Sequence, residues 1–201
     1  IVSPLYRGCD SNFSMWTIGW RLFEGTGSPI IGLTSLPIVD SPFLALFSSC
    51  AMSILFLSVG LRLALRARSF DTSFGILVCV STLVNPVAWG YYLILTLIPV
   101  VIVGRDLSIH GMPKTETWCF LLLCASLSIP STTITDFILK LTGHETTMVN
   151  AQVPFAAALL TLIPAISVIL LLWLVSHMDR FYKDGTNIND GSLFLNGCET
   201  V

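Results

Sequence analysis

The sequence predicts an all-α membrane protein, a multi-span helical bundle of about five transmembrane helices that includes a short helical hairpin broken at Asn85-Pro86. Three observations predict it. The chain is 54% hydrophobic and only 11% charged, whereas a soluble domain carries roughly a quarter charged residues. Its mean hydropathy of +0.82 is spread over several separate apolar runs, which argues for many spans rather than one anchor. Lysine and arginine fall between those runs in an order that gives them a consistent orientation.

Residues 1–41 read as an extracytoplasmic interfacial helix and loop. In SNFSMWTIGWRLFEG the aromatic residues Phe13, Trp16, Trp20 and Phe23 recur at helical spacing, and Trp16 and Trp20 fit the aromatic belt of a membrane surface. The Gly/Pro/Ser-rich GTGSPIIGLTSLPIVDSP that follows is a loop,. Residues 42–177 form the transmembrane helical domain, with apolar runs at about 42–63, 73–103, 118–138 and 153–176; a span needs about 20 residues. Residues 178–201 read as a polar, poorly ordered cytoplasmic tail, rich in turn formers,.

The run at 73–103 is long for one crossing and short for two, since 31 residues make roughly 46 Å of helix,. Charge decides between them. If the run turns back at Asn85-Pro86, then Arg62, Arg66, Arg68, Arg105, Lys114, Arg180 and Lys183 share one side, and only Arg7, Arg21 and Lys140 lie opposite. Seven against three favours the hairpin, with the basic side cytoplasmic. Residues 1–41, the turn at 85–92 and the loop around 140–152 then share the extracytoplasmic side. Because the arms are short, the NPVAWGYY corner is expected to lie below the headgroups. Pro86 removes a backbone donor, and non-helical backbone at that depth survives only where protein or a water-filled cavity lines it. The corner therefore reads as the lip of a site.

Several function classes drop out. A net charge of −2 without a basic run excludes a nucleic-acid partner,. The six cysteines, Cys9, Cys50, Cys79, Cys119, Cys124 and Cys198, are scattered and read as small buried hydrophobes. No Walker loop, GxSxG elbow or HExxH is present. His110, His144 and His177 fall on different predicted loops, so neither a metal site nor any cofactor is called for. His144-Glu145 lies on the same outer side as the corner and could supply a proton-handling group near it. Asp71 and Asp106 sit at the hairpin ends and read as structural. Asp10, Asp40, Asp136 and Glu145 are outer-side acids, and Asp136 reads equally as a local helix cap. The opening residues IVSPLYRGCD lack the order of a signal peptide,, so a start within a longer protein is expected.

Two segments carry a resemblance. In SNFSMWTIGWRLF, residues Asn12, Ser14, Arg21 and Leu22 match an Asn-x-Ser element followed by an Arg-Leu pair. In NPVAWGYYLILTLIPVVIV, Pro86 and Trp89 match a Ser-Pro-x-Ser-Trp-x-His-His element, and Leu97-Ile98-Pro99 echoes a trailing Leu-x-Pro run. In this order the segments resemble the bacterial polyprenol-phosphate-mannose-dependent mannosyltransferases, glycosyltransferase family 87, of GT-C architecture. The resemblance covers the first half of the chain. It departs from the family where Asn85 replaces a serine and where Tyr91 and Tyr92 replace two histidines.

The resemblance implies the C-terminal part of an integral glycosyltransferase in the bacterial inner (plasma) membrane. It would transfer a hexose, mannose in the family, from a polyprenyl-phosphate donor to a lipid or glycan acceptor on the extracytoplasmic face. The expected catalytic aspartate would precede this chain. The substrate-binding residues would be Asn12, Ser14, Arg21, Asn85, Trp89, Tyr91 and Tyr92, with Arg21 as the cation for phosphate. An interfacial snorkelling role for Arg21 is the bland alternative. Tyrosine can donate to a phosphate or sugar oxygen but is a poor base at neutral pH. The rival readings are a non-catalytic membrane subunit of a larger complex that keeps this scaffold, and a transporter with a broken helix.

Overall fold

The structure, a computed structural model, describes residues 9, 12–26, 33–86, 88, 90–110, 114–143 and 151–189. These form α1 (Met15–Phe23), β1 (Leu33–Thr34), α2 (Pro42–Arg66), α3 (Phe70–Val84), and a 3-10 turn (Gly90–Thr96) that runs directly into α4 (Leu97–His110). They continue as α5 (Lys114–Leu127), α6 (Ser131–Leu141), β2 (Ala151–Gln152), the short α7 (Phe155–Ala158), a second 3-10 turn (Leu159–Leu162) and α8 (Ile163–Asn189).

Helix boundaries follow from local chemistry. The Ser41 hydroxyl accepts from the Leu44 N–H at 3.4 Å and Pro42 opens α2, the proline at the position where its missing N–H costs nothing. Ser69 caps α3 by accepting from the Thr72 N–H at 3.0 Å. At the other end, Pro86 clashes with a helical conformation at the residue before it. Asn85 accordingly leaves the helix at φ −58°, ψ 122°.

Pro42–Arg66, Tyr92–Ile109 and Phe155–Met178 are long and apolar enough to cross a bilayer. The apolar α3, of 15 residues, is shorter than a full span, and α5 and α6 are long and apolar enough only when taken together as a bent pair. Helix α2 shows why this is a membrane fold. Its Phe43, Phe47, Ile54, Leu57 and Leu65 are exposed, whereas Ala45, Ser49, Ser53, Gly60 and Ala64 are buried. A helix in water would bury the large side chains; in lipid, small residues face inward so that backbones can approach. At Gly60 an added Cβ would overlap the side chain of Val80 on α3.

Helix α3 is the centre of the bundle, packed against α2, α4 and α8. Its Ile76, Cys79, Val80 and Leu83 are buried with Val103 of α4 and with Val168, Leu171, Leu174 and Val175 of α8. Arms α3 and α4 lie side by side, and at their basic end Arg105 Nη1 donates to Asp71 Oδ2 at 2.6 Å. The chain therefore enters and returns at Asn85-Pro86, as the charge distribution predicts. An ion pair this exposed is well screened by solvent, so it marks the register of the hairpin rather than holding it. The two arms differ in length: 15 residues of α3 rise about 22 Å against a hydrocarbon core of about 30 Å, whereas the returning arm, Tyr92–Ile109, is long enough to cross, so the expectation that both arms fall short holds for α3 alone.

The structure departs from the sequence reading in several places. The run at 118–138 is not one straight span: Lys114–Leu127 and Thr132–Leu141 meet at 86°, because Pro130 ends the helical path before it. Asp136 lies in the middle of α6 rather than at its start, and is no cap. Trp20 is buried and α1 packs against α2, so Trp20 is not free to stand in an aromatic belt. Helix α8 continues through Asn189, so the first part of the tail is helical. His177 lies on this helix and not on a loop, stacked on Trp173 with ring centroids 5.0 Å apart and with Nε2 3.7 Å from Glu116 Oε1.

Between α1 and α2 and between α6 and α7, the chain folds into an outer layer. β1 pairs in parallel with β2, Leu33 against Ala151 and Thr34 against Gln152. Leu33, Ile134, Ile138, Leu139, Ala151, Val153 and Ala158 form a small second core beneath it.

Candidate functional site

The site is built on Asn12, which is fully buried. Its Nδ2 donates to the Pro86 carbonyl at 2.8 Å, and its Oδ1 accepts from the Ala88 N–H at 3.0 Å and from the Ser14 N–H at 3.2 Å. The Phe13 N–H donates to the Ala88 carbonyl at 3.1 Å. Residues 12–14 thus satisfy three backbone groups of the broken corner, which lie where no helix can satisfy them. The N-terminal segment supplies the partners that a continuing helix would have given these groups.

Arg21 completes the arrangement from α1. It is 2% exposed, with Nη2 donating to the carbonyls of Asn12 at 2.6 Å and Cys9 at 2.8 Å, and Nη1 to Thr161 Oγ1 at 2.7 Å. The Thr161 hydroxyl in turn donates to the Ala158 carbonyl at 2.7 Å. The Thr17 hydroxyl lies 2.8 Å from the Ser14 carbonyl and 3.1 Å from that of Asn12. One polar network therefore joins the N-terminal segment, α1, the corner and the entry to α8. The snorkelling alternative for Arg21 does not hold: the guanidinium points into protein, not toward headgroups.

The sequence-predicted residues divide accordingly. Asn12, Ser14 and Arg21 are brought together and buried, and the Ser14 hydroxyl makes no hydrogen bond. Asn85 is half-buried at the corner, beside the exposed Pro86. Tyr92 is half-buried and packs on the main core. Trp89 and the side chain of Tyr91 lie outside the described residues, as do Asp10, His144-Glu145 and the side chain of His110. Thr17, Thr161 and Gly19 are the participants that sequence reasoning missed. Gly19 carried a signal, a glycine inside an amphipathic helix, which costs roughly 0.5–1 kcal/mol relative to alanine unless close packing requires it. Thr161 carried none, being a single hydroxyl in an apolar run.

The chemistry open to this arrangement is positioning. Asn12 holds the corner from within the fold and Arg21 holds Asn12 in turn, which leaves Asn85 half-buried and Pro86 exposed. Replacing Asn12 with alanine strands the Pro86 carbonyl and the Ala88 N–H, and is expected to cost about 2–3 kcal/mol. Asn12→Asp recovers only part of this, because a carboxylate oxygen would face the Pro86 carbonyl. Equilibrium unfolding in mixed micelles reads both variants. No protein-family model, no curated protein and no solved structure matches the chain.

Proposed function

We propose that the chain is the C-terminal part of an integral membrane glycosyltransferase that takes a hexose, mannose in the first instance, from a polyprenyl-phosphate donor at the extracytoplasmic face of the bacterial inner membrane. The observation that carries this reading is the Asn12 bridge. The two segments on which the family resemblance rests are 74 residues apart in the chain and meet through that side chain at Pro86. A recessed polar corner also suits a lipid-phosphate donor, whose tail stays in hydrocarbon while its phosphate needs hydrogen-bond donors just below the headgroups. Asn85, Tyr91 and Tyr92 are the candidate contacts, with Trp89 as a sugar-stacking face. Arg21 acts on the donor only by shaping the corner. The basic loops and the end of α8 face the cytoplasm in this reading.

Membranes containing the full protein should transfer radiolabelled mannose from polyprenyl-phosphate mannose. Asn85→Ala and Tyr91→Phe should each reduce transfer roughly 10- to 100-fold, the loss of one hydrogen bond to a charged oxygen. Absence of transfer by the wild type from any polyprenyl-phosphate hexose would sink the reading. One observation favours the rival non-catalytic subunit, namely that Asn12 and Arg21 direct their hydrogen bonds into the fold. A wild type that is inert alone but copurifies with an active transferase would decide for it.

A further inference from the structure

Helix α6 carries three distinct faces. Ile134, Ile138 and Leu139 are buried in the small outer core against Leu33, Ala151 and Val153. At 100° per residue, the next sector holds Thr132, Asp136 and Lys140, all exposed. Between the polar sector and the core lie Phe137 and Leu141, one turn apart and 58% and 65% exposed.

Two contacts place this helix in the bundle. At one end of α5, Glu116 meets His177 of α8; near the other end, Ser126 shares a hydrogen bond with Ser167. Ser167 lies two turns from Thr161, the partner of Arg21, so α5 climbs toward the end of the bundle that holds the corner. Its 14 residues rise about 21 Å, leaving the bend about 9 Å short of the far edge of a 30 Å hydrocarbon core. There the path turns by 86°, and α6 must run nearly parallel to the membrane plane. The outward face of α5 below it, with Trp118, Leu121 and Leu122 exposed, already stands in lipid.

We infer that α6 is an in-plane interfacial helix, with Phe137 and Leu141 seated in the acyl chains of the extracytoplasmic leaflet and Asp136 and Lys140 in the headgroup layer. Helices of this kind bury an apolar face about 5–10 Å into the headgroup boundary, the depth at which the bend leaves α6. A protein-only explanation has to leave two large apolar side chains uncovered between a packed face and a charged one.

The test is site-specific photocrosslinking with p-benzoylphenylalanine at 137, 141, 136 and 132 in the full protein. The protein is reconstituted in vesicles of phosphatidylethanolamine and phosphatidylglycerol carrying acyl-chain-tritiated lipid. All four positions are exposed, and an unchanged thermal midpoint identifies the folded samples. Positions 137 and 141 should give about tenfold more labelled lipid adduct than 136 and 132. Equal labelling at all four positions would overturn the inference, as would crosslinks from 137 to a second copy of the chain or to another protein.

Discussion

Arg21→Ala should destabilise the folded protein by about 3–5 kcal/mol. The guanidinium is 2% exposed and donates to two backbone carbonyls and the Thr161 hydroxyl. Each hydrogen bond from a charged donor contributes about 1.5–3 kcal/mol, and the carbonyls it leaves behind have no water to turn to. Arg21→Lys should recover only a minor part, because one ammonium cannot span the fork that reaches Cys9, Asn12 and Thr161 together. Thr161→Val, which removes a single partner, should cost about 1 kcal/mol. Unfolding in mixed micelles, followed by tryptophan fluorescence, gives all three. Were Arg21 instead a direct phosphate ligand, Arg21→Ala would leave the unfolding midpoint of the ligand-free protein unchanged and abolish only the stabilisation by added polyprenyl phosphate.

The parts of the fold that were legible are those governed by summed hydropathy and charge. The in-and-out path at Asn85-Pro86 follows from proline chemistry and from the side on which Arg62, Arg66, Arg68, Arg105 and Lys114 fall, and the Asp71–Arg105 pair joins the ends that this reasoning brings together. What was hidden depends on which surface an apolar face meets. The spacing of Phe13, Trp16 and Trp20 is the same for a helix lying on lipid and for one packed on α2, so it does not reveal that Trp20 and Arg21 are buried. The bend before α6 was present in the sequence as Ser128-Ile129-Pro130. The hydropathy of 118–138 is summed over that break without registering it. For the site, Asn12 and Arg21 could be singled out by their resemblance to a family motif, but periodicity says nothing of a hydrogen bond spanning 140 residues to Thr161.

Gly19→Val should cost more than about 4 kcal/mol, outside the usual range of single substitutions, and should release α1 from α2. Glycine inside a helix is ordinarily a weakness of roughly 0.5–1 kcal/mol, so Gly19→Ala on an open face would stabilise. Here a Cβ would overlap the Ala45 carbonyl oxygen and the hydroxyls of Ser48 and Ser49. The hydroxyls can rotate away, but the carbonyl belongs to the backbone of α2 and cannot. Gly19→Ala should therefore already destabilise, and Ser48→Ala with Ser49→Ala should not rescue it. Gly104→Ala is the matched control, since its Cβ would meet only the Phe120 ring at 3.5 Å, an ordinary contact, and should be neutral or slightly stabilising. The loss at Gly19 should not stay local. Helix α1 carries Arg21 and follows directly from Asn12, so undocking it removes the hydrogen bonds that line the corner at Pro86. The same variant should therefore expose the corner to protease in parallel with the loss of stability, whereas a Gly19→Val protein as stable as wild type would mean that α1 does not dock against α2 at all.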